Sequence, residues 1–342
     1  MTSNSPRQLC LWLRRIPVVE PGRKIGCSLS RCDHVARWLM RAILIVLLAC
    51  SQILAGQSTA PKGKDDTADD GFYSPYAVAV DGSGNVYIDD SYNNRVVKET
   101  PSGDSYKQSI VVCCDLSNSS GVAVDGSGNV YIADSGNNHV LKETLSGSGY
   151  AQSMIGSEME YPYGVAVDGS GNVYIADTGN NRVLKETLTG GSYTQSVILD
   201  TGLSYPTGVA VDGSGNLFVV DSNHERVLKL TPAEGKYTQS NVVDSDLSEP
   251  RGVAVDSSGS VYVADTSNNR VLKETVTGGN TIERSVGFGF LYPESVAVDS
   301  HGNVYVADYE HRRTVKETLS GGTYTPSFVG TGTRFPGGQD ED

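Results

Sequence analysis

Short apolar segments alternate with polar turns from about residue 72 to the end of the chain. The segments are rich in valine, isoleucine and aromatic residues, and Gly, Asn, Ser and Asp bound them on both sides. This combination is typical of strands joined by tight hairpins. No segment has the sustained 3.6-residue periodicity of an amphipathic helix. The pattern therefore predicts antiparallel β-structure.

The same pattern recurs six times. Each copy contains a Val-Ala-Val-Asp segment, and the aspartates that end these segments are spaced 43 or 44 residues apart. They are Asp81, Asp125, Asp168, Asp212, Asp256 and Asp299. Each copy holds four apolar segments and predicts a four-stranded antiparallel meander, which cannot cover both of its faces alone. A closed ring removes the exposed ends, so we predict an all-β, six-bladed β-propeller over residues 72–338.

One copy, GVAVDGSGNVYIADSGNNHVLKET from residue 121 to residue 144, resembles the NHL repeat. The family pattern joins Pro-x-Gly-Val-Ala-Val-Asp, Gly-Asn-x-Tyr-Val-Ala-Asp and Asn-Arg-Val, and all six copies resemble it. WD40 repeats have the same period, but no tryptophan lies in any copy. The resemblance implies a propeller similar to the extracytoplasmic sensor domain of the mycobacterial serine/threonine kinase of this class.

Residues 1–56 are interpreted as a leader and signal segment. The apolar run from Ala42 to Ala49 is too short to span a bilayer but has the length of a secretory signal core. Met40 lies just before this run and is an alternative start of translation. Leu47 to Cys50 resembles a bacterial lipoprotein box, which implies lipidation of Cys50 and a membrane anchor; plain signal cleavage is the alternative. Both alternatives predict an extracytoplasmic location, in the periplasm, in the cell envelope or outside the cell.

Residues 57–71 are polar and charged and predict a flexible tether, and residues 339–342 form an acidic tail. The chain after Arg41 contains 19 basic and 38 acidic residues, a net charge of −19. This charge repels phosphate backbones, so no nucleic-acid partner is predicted. A monomer is the simplest expectation for such a charged repeat domain.

One carboxylate and one basic residue recur in every copy, five positions apart. The aspartate ends the second predicted strand, and the basic residue begins the third. The pairs are Asp90 with Arg95, Asp134 with His139, Asp177 with Arg182, Asp221 with Arg226, Asp265 with Arg270 and Asp308 with Arg313. We interpret them as structural ion pairs across the hairpin, because a ligand site would not be needed six times.

Positions that break the repeat are the candidates for function. In the predicted meander, the turn before the first strand and the turn between the second and third strands open on one side of the disc, here named the first face. Its turns vary, whereas those of the opposite, second face are nearly identical. Variable loops on a rigid scaffold, with aromatic residues and arginine, are typical of binding sites. We predict that a protein, peptide or glycan binds Tyr76, Tyr92, Tyr163, His224, Arg251, Glu294, Tyr309, Glu310 and His311.

No catalytic residue, metal ligand set or cofactor is predicted. The sequence has no recognisable Ser/His/Asp or Cys/His set and no phosphate-binding loop that leads into a helix. Relatives with this fold include the peptidyl-hydroxyglycine amidating lyase, which implies an axial zinc held by several histidines. The histidines His139, His224, His301 and His311 do not share one repeat position on adjacent blades. The alternative is a lyase or lactonase-type enzyme with an axial zinc or calcium ion, and a structural Ca²⁺ or Zn²⁺ ion in the channel also stays open.

Overall fold

The structure is a computed structural model that describes residues 71–243, 246–277 and 280–330. The leader with Met40 and Cys50, the tether up to residue 70 and the acidic tail lie outside the described residues, so their assignments stay predictions. Among the residues that the structure describes, no helix is long and apolar enough to cross a membrane.

In the described ranges, 24 strands form six four-stranded antiparallel sheets, and each sheet uses four strands that are consecutive in sequence. The inner strands are β1 (Pro75–Val80), β5 (Ser119–Val124), β9 (Pro162–Val167), β13 (Pro206–Val211), β17 (Pro250–Val255) and β21 (Pro293–Val298). The second strands are β2 (Val86–Asp90), β6 (Val130–Asp134), β10 (Val173–Asp177), β14 (Leu217–Asp221), β18 (Val261–Asp265) and β22 (Val304–Asp308). The predicted six-bladed fold is confirmed.

The outer half of each blade is longer than the inner half. The third strands are β3 (Arg95–Ser102), β7 (His139–Ser146), β11 (Arg182–Thr189), β15 (Arg226–Ala233), β19 (Arg270–Thr277) and β23 (Arg313–Ser320). The outer strands are β4 (Ser105–Cys113), β8 (Gly149–Ile155), β12 (Ser192–Leu199), β16 (Lys236–Val243), β20 (Asn280–Ser285) and β24 (Thr323–Val329). Three-residue 3-10 helices precede the third strands of blades 1 to 5, at Ser91–Asn93, Ser135–Asn137, Thr178–Asn180, Ser222–His224 and Thr266–Asn268.

The six inner strands close into a ring. Each inner strand packs against that of the next blade, and β21 packs against β1. Four blades carry glycine where these strands touch, and a Cβ atom on Gly208 would lie 2.5 Å from the carbonyl oxygen of Arg251. Blades 1 and 6 carry Ala77 and Ser295 at this position, and the Val78 amide donates to Ser295 Oγ at 3.3 Å. The last blade therefore bonds directly to the first.

The turns of the second face are held by the aspartate that ends each inner segment. Asp81 Oδ1 accepts hydrogen bonds from the amides of Ser83 at 2.9 Å and Asn85 at 3.0 Å. Its Oδ2 accepts from Asn85 Nδ2 at 2.7 Å and from the Tyr87 hydroxyl at 3.2 Å. Gly84 adopts a φ of +80°, which glycine tolerates without strain. These local bonds explain why the turn sequence repeats almost unchanged.

Aromatic residues of the second strands fill the space between blades. Tyr87, Tyr131, Tyr174, Phe218, Tyr262 and Tyr305 are all 2% exposed or less. Each also carries a lysine ammonium over its ring; Lys98 Nζ, for example, lies 5.4 Å from the centre of the Tyr87 ring. The core is thus divided into apolar clusters that lie between neighbouring blades rather than one central cluster.

The ring contact predicts a position-specific response to an added methyl group. Gly208→Ala places a Cβ atom against the Arg251 carbonyl oxygen, and we expect it to lower the free energy of unfolding by about 2 kcal/mol or more. Gly213→Ala is the matched control, because nothing lies within 4 Å of its added Cβ and its φ is not in the left-handed region. Urea unfolding measures both variants. Equal stability of the two would contradict the proposed backbone contact.

Candidate functional site

The buried carboxylate of each blade organises the first face. Asp177 Oδ1 accepts a hydrogen bond from the Glu160 amide at 2.8 Å, in the loop that leads into the inner strand. Its Oδ2 accepts from Asn180 Nδ2 at 3.0 Å and from Arg182 Nε at 2.6 Å. One fully buried side chain therefore connects the incoming loop, the 3-10 helix and the third strand.

The structure brings together every predicted aspartate and its basic partner. The arginine Nε atoms lie 2.6–2.9 Å from the carboxylate oxygen in blades 1, 3, 4, 5 and 6. In blade 2, His139 Nε2 lies 3.1 Å from Asp134 Oδ2. The arginine also reaches the incoming loop, where Arg182 Nη2 donates to the Glu158 carbonyl at 2.7 Å. These contacts are internal to each blade and form the scaffold under the first face.

His224 and His311 occupy the position that an asparagine holds in the other blades. Their Nδ1 atoms lie 2.8 Å from Asp221 Oδ2 and 2.9 Å from Asp308 Oδ2. Each histidine is thus bound to the buried carboxylate of its own blade. Across the described part of the chain, no group of three or more His, Cys, Asp or Glu side chains is arranged to hold a metal ion. Glu310 lies exposed in the same turn as His311.

Four predicted residues from four different blades meet at the axis. This group, here named the axial cluster, consists of Tyr76, Tyr163, Arg251 and Glu294. Arg251 Nη1 donates to the hydroxyls of Tyr76 and Tyr163, both at 3.0 Å, and to Glu294 Oε2 at 3.2 Å. The Tyr163 hydroxyl donates to that of Tyr76 at 2.8 Å and also lies 3.4 Å from Glu294 Oε2. The cluster joins blades 1, 3, 5 and 6 across the mouth of the channel.

The narrow ring explains this convergence. Each member of the axial cluster directly precedes the small residue at which neighbouring inner strands touch. Its side chain is therefore attached to the backbone where the ring of inner strands is narrowest. A small cavity of about 70 Å³ lies in the channel, lined by the inner strands together with Tyr163, Arg251 and Glu294.

Burial sets the titration of the axial cluster. It raises the pKa of Glu294 to about 7, and the nearby carboxylate of Glu249 acts in the same direction. The Arg251 guanidinium and the Tyr163 hydroxyl oppose this rise. Burial also raises the pKa of both tyrosines, so they stay protonated at neutral pH.

A second cavity opens beside the axial cluster on the first face. It has a volume of about 270 Å³ and is here named the tyrosine cavity. Its lining residues are Tyr76, Ser91, Tyr92, Asn118, Ser119, Ser120, Ser135, Tyr161, Tyr163, Tyr205 and Tyr309. The ring of Tyr76 packs edge-on against Tyr163 at 5.7 Å and against Tyr309 at 5.5 Å between ring centres. Four of the nine residues predicted from sequence therefore line one cavity.

Sequence reasoning missed several lining residues. Tyr161 and Tyr205 precede the proline of their blades and were not among the predicted residues. Ser119 replaces the proline found in the other five blades, and Asp89 replaces the Ala or Val that precedes the aspartate ending the second strand in those blades. Ser119 Oγ donates to Asp89 Oδ1 at 2.6 Å. The two departures were a signal, but only their contact across neighbouring blades shows that they belong together.

Comparison with known proteins identifies the repeats. The NHL repeat model matches residues 116–142, 160–185, 203–230, 247–273 and 290–313, which are five of the six blades. No curated protein matches the chain significantly.

Solved propellers resemble the fold at low sequence identity. A chain in the nidogen/laminin complex is 19% identical with a TM-score of 0.59, over 69% of this chain and 90% of that one. Virginiamycin B lyase from Staphylococcus aureus is 16% identical with a TM-score of 0.56, over 76% and 85%. A gluconolactonase from Xanthomonas campestris is 13% identical with a TM-score of 0.58, over 70% and 84%. These similarities show the fold alone.

The raised pKa of Glu294 predicts a pH-dependent contribution to stability. Because the folded state favours the protonated carboxyl, this contribution is fully present below pH 4.5 and is lost as the pH rises through about 7. A glutamine side chain cannot ionise, so we expect Glu294→Gln to become more stable relative to wild type by about 3 kcal/mol across this window. Urea unfolding on both sides of the window measures the difference. Parallel pH profiles of the two proteins would show that the carboxyl is not perturbed.

Proposed function

The chain belongs to the NHL repeat family, and on that basis we propose that it is a non-catalytic binding propeller whose first face holds a protein, peptide or glycan. The single observation that supports this proposal is the difference between the two faces. Departures from the repeat on one face come together as the axial cluster and the tyrosine cavity. A rigid scaffold that presents aromatic side chains and arginine in a concave surface is suited to binding.

The second face offers little comparable variation. Its six inner turns have nearly the same sequence, and each is held by hydrogen bonds to its own aspartate, as in the bonds of Asp168 to the Ser170 and Asn172 amides at 2.9 Å. Side chains committed to such local bonds have few groups left for a ligand. We therefore assign binding to the first face.

Propellers of this shape serve both binding and catalysis. The nidogen/laminin complex is an assembly of proteins, whereas virginiamycin B lyase and gluconolactonase are enzymes. A lyase or lactonase-type activity with an axial zinc or calcium ion is therefore the alternative. A catalytic zinc needs at least three protein ligands. Within the described residues the axial cluster supplies one carboxylate, Glu294, and Arg251 is bonded to it.

Export is part of the proposal and rests on the leader sequence. The apolar run Ala42 to Ala49 and the lipoprotein-like Cys50 support an extracytoplasmic protein, anchored by lipid or released by cleavage. The net charge of −19 after Arg41 supports a monomer without a nucleic-acid partner.

Photo-crosslinking from each face tests the proposal. We expect a photoreactive amino acid at Tyr92 or Glu310, which are exposed on the first face, to capture a discrete partner in intact producing cells. The same group at Ser127 or Ser170, exposed on the second face, is the matched control and is expected to capture none. Mass spectrometry of the adducts gives the readout. Equal capture from both faces would argue against a dedicated binding face.

Metal analysis separates binding from the enzyme alternative. We expect the purified protein to contain substoichiometric zinc and calcium, and chelation with EDTA to leave its melting temperature unchanged, because a bound ion would stabilise the folded state. Elemental analysis and thermal unfolding measure both. A stoichiometric ion whose removal abolishes a lyase or lactonase activity would establish the alternative.

A further inference from the structure

We propose that the tyrosine cavity binds one pyranose ring of a neutral saccharide. This inference rests on the proposed function, because it names the ligand class of the same face. The cavity combines aromatic walls, a floor of hydroxyl oxygens and a hydroxyl donor, and no lining residue carries a formal charge.

The cavity exists because blade 2 carries two small residues. Five blades have proline at the position of Ser119, and four blades have Tyr, Arg or Glu at the position of Ser120. The small side chains leave a gap between the bulky residues Tyr76 and Tyr163 of blades 1 and 3. Tyr309 stands where every other blade has serine or threonine, and it closes the gap from blade 6.

The floor of the cavity presents hydrogen-bond acceptors. Ser119 Oγ donates to Asp89 Oδ1 at 2.6 Å, and Ser135 Oγ donates to the Pro162 carbonyl at 2.6 Å. Ser120 Oγ donates to Ser135 Oγ, because the Ser135 hydrogen is already used on the Pro162 carbonyl. A hydroxyl has one hydrogen and two lone pairs, so Ser119 and Ser120 can still accept through both lone pairs and Ser135 through one. The hydroxyl groups of a sugar are donors that match them.

The axial cluster supplies a donor to the same cavity. The Tyr76 oxygen accepts from Arg251 Nη1 at 3.0 Å and from the Tyr163 hydroxyl at 2.8 Å. Both of its lone pairs are then occupied, so its own hydrogen remains to donate, and Tyr76 lines the cavity. A ligand that meets this wall and the floor together must both accept and donate, as a polyhydroxylated ring does.

The aromatic walls suit the C–H face of a sugar ring. Aromatic faces carry partial negative charge that attracts such hydrogens. At the rim, Tyr92, Tyr161 and Tyr205 are 61%, 52% and 45% exposed, so their rings are open to a ligand. The backbone at Tyr161 and Tyr205 is held in place, because their amides donate to Asn138 Oδ1 at 2.8 Å and Asn181 Oδ1 at 2.7 Å. A backbone that is already ordered lowers the entropic cost of binding.

Charge and size argue against other ligand classes. Phosphate, carboxylate and ammonium groups would find no counter-charge among the lining residues, and Arg251 is already shared between Glu294 and two tyrosine hydroxyls. Burial raises the pKa of Asp89 to about 8, so the carboxyl behind the floor is mainly uncharged at neutral pH. The volume of about 270 Å³ suits one ring rather than an extended peptide.

A panel of methyl pyranosides of glucose, galactose, mannose and N-acetylglucosamine tests the inference. We expect saturation-transfer NMR and calorimetry to show at least one of them binding to the full protein with millimolar affinity. Ser120→Tyr introduces the residue that blades 1 and 3 carry at this position, so it fills the cavity and should weaken binding at least tenfold. Thr207→Ser, at the equivalent position of blade 4 outside the cavity, should bind as wild type does.

A rim variant covers the case in which Ser120→Tyr fails to fold. The double variant Tyr161→Ala, Tyr205→Ala removes two exposed rings and should weaken saccharide binding about tenfold. Tyr292→Ala is its matched control: Tyr292 also precedes a proline and donates its amide to Asn269 Oδ1 at 2.8 Å, but it does not line the cavity. It should bind as wild type does.

Three results would overturn the inference. The first is failure of every pyranoside to bind the wild type, and the second is unchanged pyranoside binding by both cavity variants. The third is a lysine-rich or proline-rich peptide that displaces the pyranoside, binds the wild type more tightly than the pyranoside does and does not bind Ser120→Tyr. None of them removes first-face crosslinks, so the proposed function would remain, and the third result would assign its ligand to the peptide class.

Discussion

Backbone contact between the six inner strands is the constraint on which the site depends. The strands approach so closely that a single Cβ on Gly208 would meet the carbonyl oxygen of Arg251. The residue directly before each contact therefore projects into a narrow mouth. Side chains from blades far apart in sequence can then bond directly, as Tyr163 and Tyr76 do at 2.8 Å. Closure of the ring thus creates the axial cluster as well as the fold.

The buried aspartates keep this fold independent of what the first face carries. Each one binds the incoming loop with one oxygen and the turn and third strand with the other. Asp221 hydrogen-bonds to the ring of His224 at the position where Asp177 accepts a hydrogen bond from the side-chain amide of Asn180. The substitution changes the surface chemistry and preserves the hydrogen bond. Evolution of the first face therefore need not disturb the blade beneath it.

Sequence predicted the features that repeat and missed those that depend on contacts between blades. The period of 43 or 44 residues predicted six blades, and the strand order placed Tyr76, Tyr163, Arg251 and Glu294 at one mouth. The cavity beside them was not predicted, because its walls come from five blades and its rim uses Tyr161 and Tyr205 from positions that look like ordinary loop. His224 and His311 were predicted as part of the binding face, and each is hydrogen-bonded to a carboxylate that the repeat had already identified.

The pair Asp89 and Ser119 shows how the cavity floor differs from the scaffold around it. In the other blades these positions hold Ala or Val and proline, which pack without polar groups. Here a carboxyl is fully buried, and among the described residues its Oδ2 atom has no hydrogen-bond partner. A buried polar atom without a partner destabilises a protein by about 1–3 kcal/mol. This cost is carried at one of six equivalent positions and directly behind the cavity, so it belongs to blade 1 alone and is not required by the repeated blade structure.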